Sequence, residues 1–329
     1  NRKLMERFPE SKRIFLKNGA CFEPGERLLQ PELGQVLRRI QLYGAKDFYE
    51  GVTAKILAEE SKKAGGEITL EDLKAYQAFE RKPLTGTYKG YEILTAPPPS
   101  SGGIAMLQML AMLEGSGYEK AGAGSAAATH YLAEAMRRAY ADRAQFLGDP
   151  DFVKIPVKGL TNREYNRKLA ETIDLTKATP SSNVRAGDPA PYESSETTHF
   201  NIVDAQGNAV SFTYTINALY GNGVTVPRLG FLLNNEMDDF AARPGTPNLF
   251  GLVQGEANAI VPKKTPLSSM TPTIVTKGGQ LFMLLGAPGG ARIINGVTQV
   301  FLNVVDFGMT VQQAVDQPRI HHQWLPDKL

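Results

Sequence analysis

Apolar positions recur at helical spacing through much of the first half of the chain and give way to alternation in the second. The spacing predicts a helix over 33–42 and another over 46–63, which Gly65-Gly66 ends. Thr69 followed by Glu71-Asp72 reads as an N-cap with acidic residues in the first turn, so a short helix is expected over 70–76. Residues 84–94 alternate and carry aromatics around Lys89-Gly90, the pattern of a hairpin, and Pro97-Pro98-Pro99 closes it. Ser100-Ser101-Gly102-Gly103 then leads into an apolar helix over 104–113, whose Met and Leu positions read as packing. The longest periodic stretch, 125–146, places Tyr131, Leu132, Ala135, Met136 and Ala139 on one stripe. A further helix over 162–173 starts at Thr161 or Asn162.

Periodicity stops over 177–196, where Pro180, Ser181, Ser182, Pro189, Pro191, Ser194 and Ser195 make an expected exposed, mobile linker. Strands follow. Runs 198–203 and 209–216 flank Asp204, Gly207 and Asn208, a strong hairpin signal. A three-residue loop centred on Gln206 places Thr197 opposite Thr215, and directly opposed residues of an antiparallel pair share a face. A strand is expected over 231–233, then a polar turn over 234–239 and a long, lid-like loop over 241–256. Strands over 273–276 and 280–285 run into Gly286-Ala287-Pro288-Gly289-Gly290 and a helix over 291–305.

Composition adds bounds rather than a function. The 329 residues suffice for a large core and suggest two lobes or one large domain, with 42% hydrophobic and 21% charged positions. A net charge of +2 gives no reason to expect nucleic acid or an anionic membrane, so small molecules are the default ligands. Cys21, the single cysteine, has no intrachain partner. No run is long and apolar enough to span a bilayer, and Asn1-Arg2-Lys3 does not begin a signal peptide. Both ends of the chain read as interruptions, and sequence is expected beyond them.

The four histidines, His130, His199, His321 and His322, form no H-E-x-x-H or Cys/His cluster, and no G-x-S-x-G elbow occurs. Neither a metal nor another cofactor is expected. What remains is Thr197-Thr198-His199 directly after the linker. A threonine opening a strand is ordinarily a β-branched residue in its preferred place. A cut between Glu196 and Thr197 would change that, because a terminal threonine carries a hydroxyl nucleophile and an α-amine whose pKa of about 7.7–8.0 suits a base near neutrality. The glycine-rich turn before the last long helix supplies the second element: such turns offer backbone N–H groups to an anion. Without the Lys-Ser/Thr pair of a phosphate loop, an oxyanion hole is the remaining use, worth roughly 3 kcal/mol per donor.

Taken together, Thr197-Thr198-His199, Thr215, the run from Leu232 to Phe240, Pro266-Leu267-Ser268-Ser269-Met270 and Pro288-Gly289-Gly290 resemble the γ-glutamyltranspeptidase family. Pro97-Pro98-Pro99-Ser100-Ser101-Gly102-Gly103 and Tyr140-Ala141-Asp142-Arg143 match it too, and the similarity runs from about Phe8 to the end. The resemblance implies an α+β, N-terminal nucleophile hydrolase fold, a four-layer αββα sandwich. It also implies a precursor that cuts itself between Glu196 and Thr197 into segments 1–196 and 197–329, which associate as a heterodimer. In that scheme Thr197 attacks the γ-glutamyl amide of glutathione or a related compound, and water, an amino acid or a dipeptide resolves the acyl-enzyme. Thr215 orients the hydroxyl, and Gly289 and Gly290 hold the oxyanion. Asn217, Glu236 and Asp239 take the substrate α-ammonium, and Ser268 and Ser269 its α-carboxylate. Ser100 to Gly103 are expected to be structural. Bacterial members imply a periplasmic or secreted protein.

Two departures stand out. The family's arginine for the α-carboxylate belongs to a part of the large segment earlier than residue 1, and Phe250 stands in the lid loop where relatives often carry a tyrosine. Phenylalanine packs there without a hydroxyl to donate. Two alternatives stay open: a noncatalytic, unprocessed remnant of the fold, and a sister acylase acting on a β-lactam side chain.

Overall fold

The computed structural model describes residues 1–185, 198–244, 246 and 255–329; Glu196, Thr197 and Phe250 lie outside the described residues. Two compact units divide the chain in space, Asn1–Glu80 with Ala218–Asn235, and Arg81–Asn217 with Glu236–Leu329. Each draws on sequence from both sides of the 196/197 junction.

The first unit contains α1 (Arg2–Glu6), α2 (Pro9–Phe15), α3 (Pro31–Tyr43), α4 (Ala45–Glu50), α5 (Val52–Lys63) and α6 (Leu70–Ala75). The single helix expected over 46–63 is two, broken at Gly51. The Asp47 carboxylate accepts the Val52 N–H at 3.1 Å, and a Cβ at position 51 would lie 2.7 Å from Asp47 Cα. The Thr69 cap forms as expected, in a reciprocal capping box with Asp72. Val36 and Leu57 pack with Val226 and Leu229 as this unit's core. Where a strand was expected over 231–233, the chain makes only an isolated Thr225–Leu232 bridge.

The second unit is built on an antiparallel sheet of order β1-β2-β5-β6, with β1 (Leu84–Tyr88), β2 (Tyr91–Thr95), β5 (Thr273–Lys277) and β6 (Gln280–Leu285). Lys89 and Gly90 both have positive φ, which suits the tight β1–β2 turn. α7 (Gly102–Leu113), α8 (Ala126–Phe146) and α11 (Arg292–Val305) pack on this sheet through a core that includes Ile93, Met106, Met136, Val275, Leu285 and Phe301. Around them lie α9 (Val157–Leu160), α10 (Arg163–Glu171) and α12 (Val311–Asp316). α10 starts at Asn162, whose side chain accepts the Tyr165 N–H. The single stripe expected on α8 is too narrow: Glu134, Arg137, Arg138, Asp142 and Arg143 are buried as well.

β3 (Thr198–Val203) and β4 (Ala209–Tyr214) form a separate two-stranded sheet in the expected register, Thr198 opposite Tyr214 through Val203 opposite Ala209. Asp204 organises the turn by accepting the Gln206 and Asn208 N–H groups at 2.9 Å each. The hairpin lies against β5 and β6, where Ser211 Oγ donates to the Leu285 carbonyl at 3.0 Å.

The linker is anchored as far as it is described. Ser181 and Val184 are buried, and Trp324 Nε1 donates to both their carbonyls at 3.0 and 2.8 Å. Arg137 Nη1 donates to Ser181 Oγ at 2.5 Å, and Asp327 accepts the Ser181 N–H at 2.8 Å. Polar backbone that leaves water needs such partners, and here a C-terminal loop provides them.

Candidate active site

Every described site residue named from the sequence belongs to the second unit. Thr215 follows β4 directly, and its Oγ1 accepts the Asn217 N–H at 2.8 Å. That bond closes a tight bend in which Asn217 takes φ 66°, a left-handed conformation that asparagine tolerates better than most residues. Asn217 is buried by the bend.

Asn217 leads to the acidic arm. A 3₁₀ turn, Glu236–Asp239, presents two carboxyl groups that hydrogen-bond each other, and the Asn217 backbone N–H also bonds Glu236. Burial raises the Glu236 pKa above its ordinary 4.5, with the bonds to Asp239 and the Asn217 N–H pulling the other way. Asp239 is 6% exposed. Such a pair of acidic groups suits a cationic ligand, which favours the charged form of both.

The hydroxyl arm is Ser268-Ser269. Ser268 N donates to the Pro99 carbonyl at 2.9 Å, and its own carbonyl accepts from Ser101 N and Ser101 Oγ, each at 2.7 Å. Ser100 Oγ donates to the Met270 carbonyl at 2.5 Å. Ser100 and Ser101 thus grip the backbone of the serine pair, which gives their expected structural role a definite form. Gly102 allows the approach: a Cβ there would lie 2.7 Å from the Met270 carbonyl oxygen.

One residue the sequence reading passed over ties the two arms together. Asn258, fully buried, donates from Nδ2 to the Asp239 carbonyl at 2.6 Å, and its Oδ1 accepts the Leu267 N–H at 3.1 Å. An asparagine in an aperiodic polar loop carries no pattern signal. A second missed residue, Arg143, did carry one, because a cation near the apolar stripe of a long helix needs buried partners. Its Nε donates to Ser101 Oγ at 2.8 Å and its Nη2 to Ser269 Oγ at 3.2 Å.

Gly289 and Gly290 have φ values of 126° and 56° and precede α11; their carbonyls accept the Arg292 and Ile293 N–H groups. A side chain at either position would be strained, and the helix N-terminus favours a developing negative charge. The Tyr140 hydroxyl donates to the next carbonyl, that of Ala291, so α8 braces this turn as well as the serines. At the other end, the His199 ring packs directly on Gly286, where any Cβ would collide with it.

The remaining histidines are structural. His321 Nδ1 accepts from Asn295 Nδ2 at 2.8 Å, its Nε2 bonds Gln323 Oε1, and burial lowers its pKa. His322 bonds Asp327, and His130 Nε2 bonds the Asp174 carbonyl at 2.7 Å. Among the described residues, no group of three or more His, Cys, Asp or Glu is placed to hold a metal ion. No described helix is long and apolar enough to cross a membrane.

Known proteins resemble this chain in sequence and fold. The gamma-glutamyltranspeptidase family model matches residues 1–329. The chain is 51% identical over 319 residues to a glutathione hydrolase proenzyme of Escherichia coli, covering 97% of this chain and 55% of that protein. It is 48% identical over 314 residues to one from a Pseudomonas species, covering 95% and 54%. A cephalosporin acylase structure from Bacillus halodurans superposes with a TM-score of 0.80 at 26% identity, covering 94% of this chain and 53% of that one. The chain therefore spans about half the length of the curated relatives it matches. The fold is α+β, that of the N-terminal nucleophile hydrolases, as expected. The described helices, sheet and hairpin of the second unit are its contribution to the expected αββα sandwich.

Proposed function

The chain belongs to the gamma-glutamyltranspeptidase family, and from that premise we propose that it carries the processing junction and acyl-binding site of an autoprocessing γ-glutamyl hydrolase and transferase. Cleavage between Glu196 and Thr197 leaves segments 1–196 and 197–329 associated as a heterodimer. The new α-amine of Thr197 takes the proton from its own hydroxyl, whose oxygen attacks the γ-carbonyl carbon of glutathione or another γ-glutamyl compound. Gly289 and Gly290 N–H groups hold the tetrahedral oxyanion, and Thr215 orients the hydroxyl. The C–N bond then breaks, the departing amine takes the proton, and an ester on Thr197 remains. Water, or the amine of an amino acid or dipeptide, attacks that ester and restores the hydroxyl. By its family the enzyme works in the periplasm or outside the cell.

The observation that supports this reading best is the pairing of arms. Glu236 and Asp239, with Asn217, suit an ammonium, Ser268 and Ser269 suit a carboxylate, and Asn258 bonds both supporting segments. A γ-glutamyl group ends in that zwitterion. Denaturing electrophoresis with N-terminal sequencing of the full-length protein should yield two fragments, the smaller starting at Thr197, while Thr197→Ala stays as one band. An intact wild-type band with no nitroaniline released from γ-glutamyl-4-nitroanilide would instead mark an unprocessed remnant.

The likeness to a cephalosporin acylase motivates a second reading, an acylase for β-lactam side chains. An acyl group without the amino-acid end has no use for Asp239 and Ser268-Ser269. Faster release from glutaryl-4-nitroanilide than from γ-glutamyl-4-nitroanilide would reverse the preference between the two.

A further inference from the structure

Arg143 is 1% exposed, Ser101 is fully buried and Ser269 is 3% exposed, so this contact is made away from water. A guanidinium has five N–H donors and no acceptor. Ser269 Oγ must therefore accept from Arg143 Nη2, and Ser101 Oγ from Nε. Ser101 passes its own proton to the Ser268 carbonyl at 2.7 Å. Ser268 Oγ in turn accepts the Met270 N–H at 3.1 Å. Accepting from Arg143 fixes the position of the Ser269 oxygen and leaves the hydroxyl its one proton and a second lone pair for other partners.

We propose that Arg143 is a positioning residue of the substrate pocket, which holds the Ser269 hydroxyl where it donates to the α-carboxylate and, through Ser101, fixes the Ser268-Ser269 backbone. A carboxylate accepts hydrogen bonds and donates none, so a serine whose oxygen Arg143 already holds in place meets it with its proton pre-positioned. The planar fork of arginine is suited to this because Nε and Nη2 reach two hydroxyls in fixed geometry, which a lysine ammonium does not reproduce. This inference rests on the γ-glutamyl reading of the pocket.

The test is a double-mutant cycle in the full-length, processed protein, with Arg143→Met, Ser269→Ala and the pair, read on γ-glutamyl-4-nitroanilide and on 4-aminobutanoyl-4-nitroanilide, which lacks only the α-carboxylate. Arg143→Met should raise KM for the γ-glutamyl anilide on the order of tenfold, the scale of one hydrogen bond to a charged group, with little change in kcat. The preference for the γ-glutamyl anilide over its decarboxylated analogue should shrink by the same factor. In the Ser269→Ala background, Arg143→Met should add little. Arg143→Lys, which keeps the stem and charge but loses the fork, carries the cycle if the methionine variant does not fold. Additive losses, or equal losses on both anilides, would reduce Arg143 to a structural role and leave the functional reading standing. A wild-type protein inactive on the γ-glutamyl anilide would remove both.

Discussion

Glu236 and Asp239 share a hydrogen bond in a partly buried turn, and burial holds the Glu236 pKa above 4.5. The sign of the pH effect follows from linkage. A carboxyl raised in the folded state contributes stability below its unfolded pKa, and that contribution is lost as pH rises through the raised value. A substrate ammonium needs the ionised form, so its binding is favoured on the alkaline side. KM for γ-glutamyl-4-nitroanilide should therefore rise as pH falls through the Glu236 pKa, by up to about tenfold per unit. Glu236→Gln should flatten that acid limb. A wild-type KM with no acid limb, or a Glu236→Gln variant whose acid limb matches the wild type, would contradict the assignment. At this scale the sequence was most legible where a residue type is chemically obliged: two adjacent glycines at positive φ, an acidic turn, and paired serines. Asn258 was not legible, because nothing in the pattern of its loop marks it, and Arg143 showed only as a cation beside an apolar stripe, its partners lying on distant segments.

Among elements, α7 shows how a motif without chemistry of its own holds a site. Its first turn packs so closely on residues 268–271 that glycine is required at 102, where an added Cβ would meet Met270 O at 2.7 Å. Gly102→Ala should cost about 1–3 kcal/mol, the usual scale of overpacking. A lowered urea midpoint would report this, accompanied by a raised KM because Ser268 and Ser269 move with the displaced helix. Helix caps and hairpin turns agreed with the sequence reading because they depend on neighbours a few residues away: Thr69 with Asp72, Asn162 with Tyr165, and Asp204 with Asn208. The break at Gly51 was missed because hydrophobic spacing runs through it, and the Asp47 cap that stabilises the break is a geometric detail. The 231–233 segment reads as a strand by composition, but its partner is a short segment that closes on it through a single bridge.

For the molecule as a whole, the sheet order decides what processing can do. β1 and β2 precede residue 196, β5 and β6 follow it, and β2 pairs with β5 from Glu92–Thr276 to Thr95–Thr273. A cut at 196/197 therefore severs the chain without dividing the sheet or its core. The processed protein should elute from gel filtration as one species and separate into two bands only under denaturing conditions; dissociation of the segments in plain buffer would contradict the shared sheet. The C-terminal anchor gives a second expectation. Burial lowers the His322 pKa to about 4, helped by the Arg137 charge and opposed by the bond to Asp327. The unfolded chain takes up that proton near 6.5, so the stability from neutral His322 is complete above pH 6.5 and is lost as pH falls through about 4. The loss should approach roughly 3 kcal/mol, read as a falling Tm across that range that His322→Gln makes shallower.

By itself the sequence determined the local elements, the β3–β4 register and the residue types that a threonine-first mechanism requires, because these depend on side-chain periodicity, turn chemistry and functional groups carried by short stretches. Tertiary structure alone decided which segments meet: that Asn258 joins the acidic and hydroxyl arms, that α8 braces both the serines and the glycine turn, and that one sheet unites both sides of the junction. The physical reason is that such contacts form between groups up to nearly two hundred residues apart, where no spacing rule along the chain applies and only the packing of the core brings donor to acceptor.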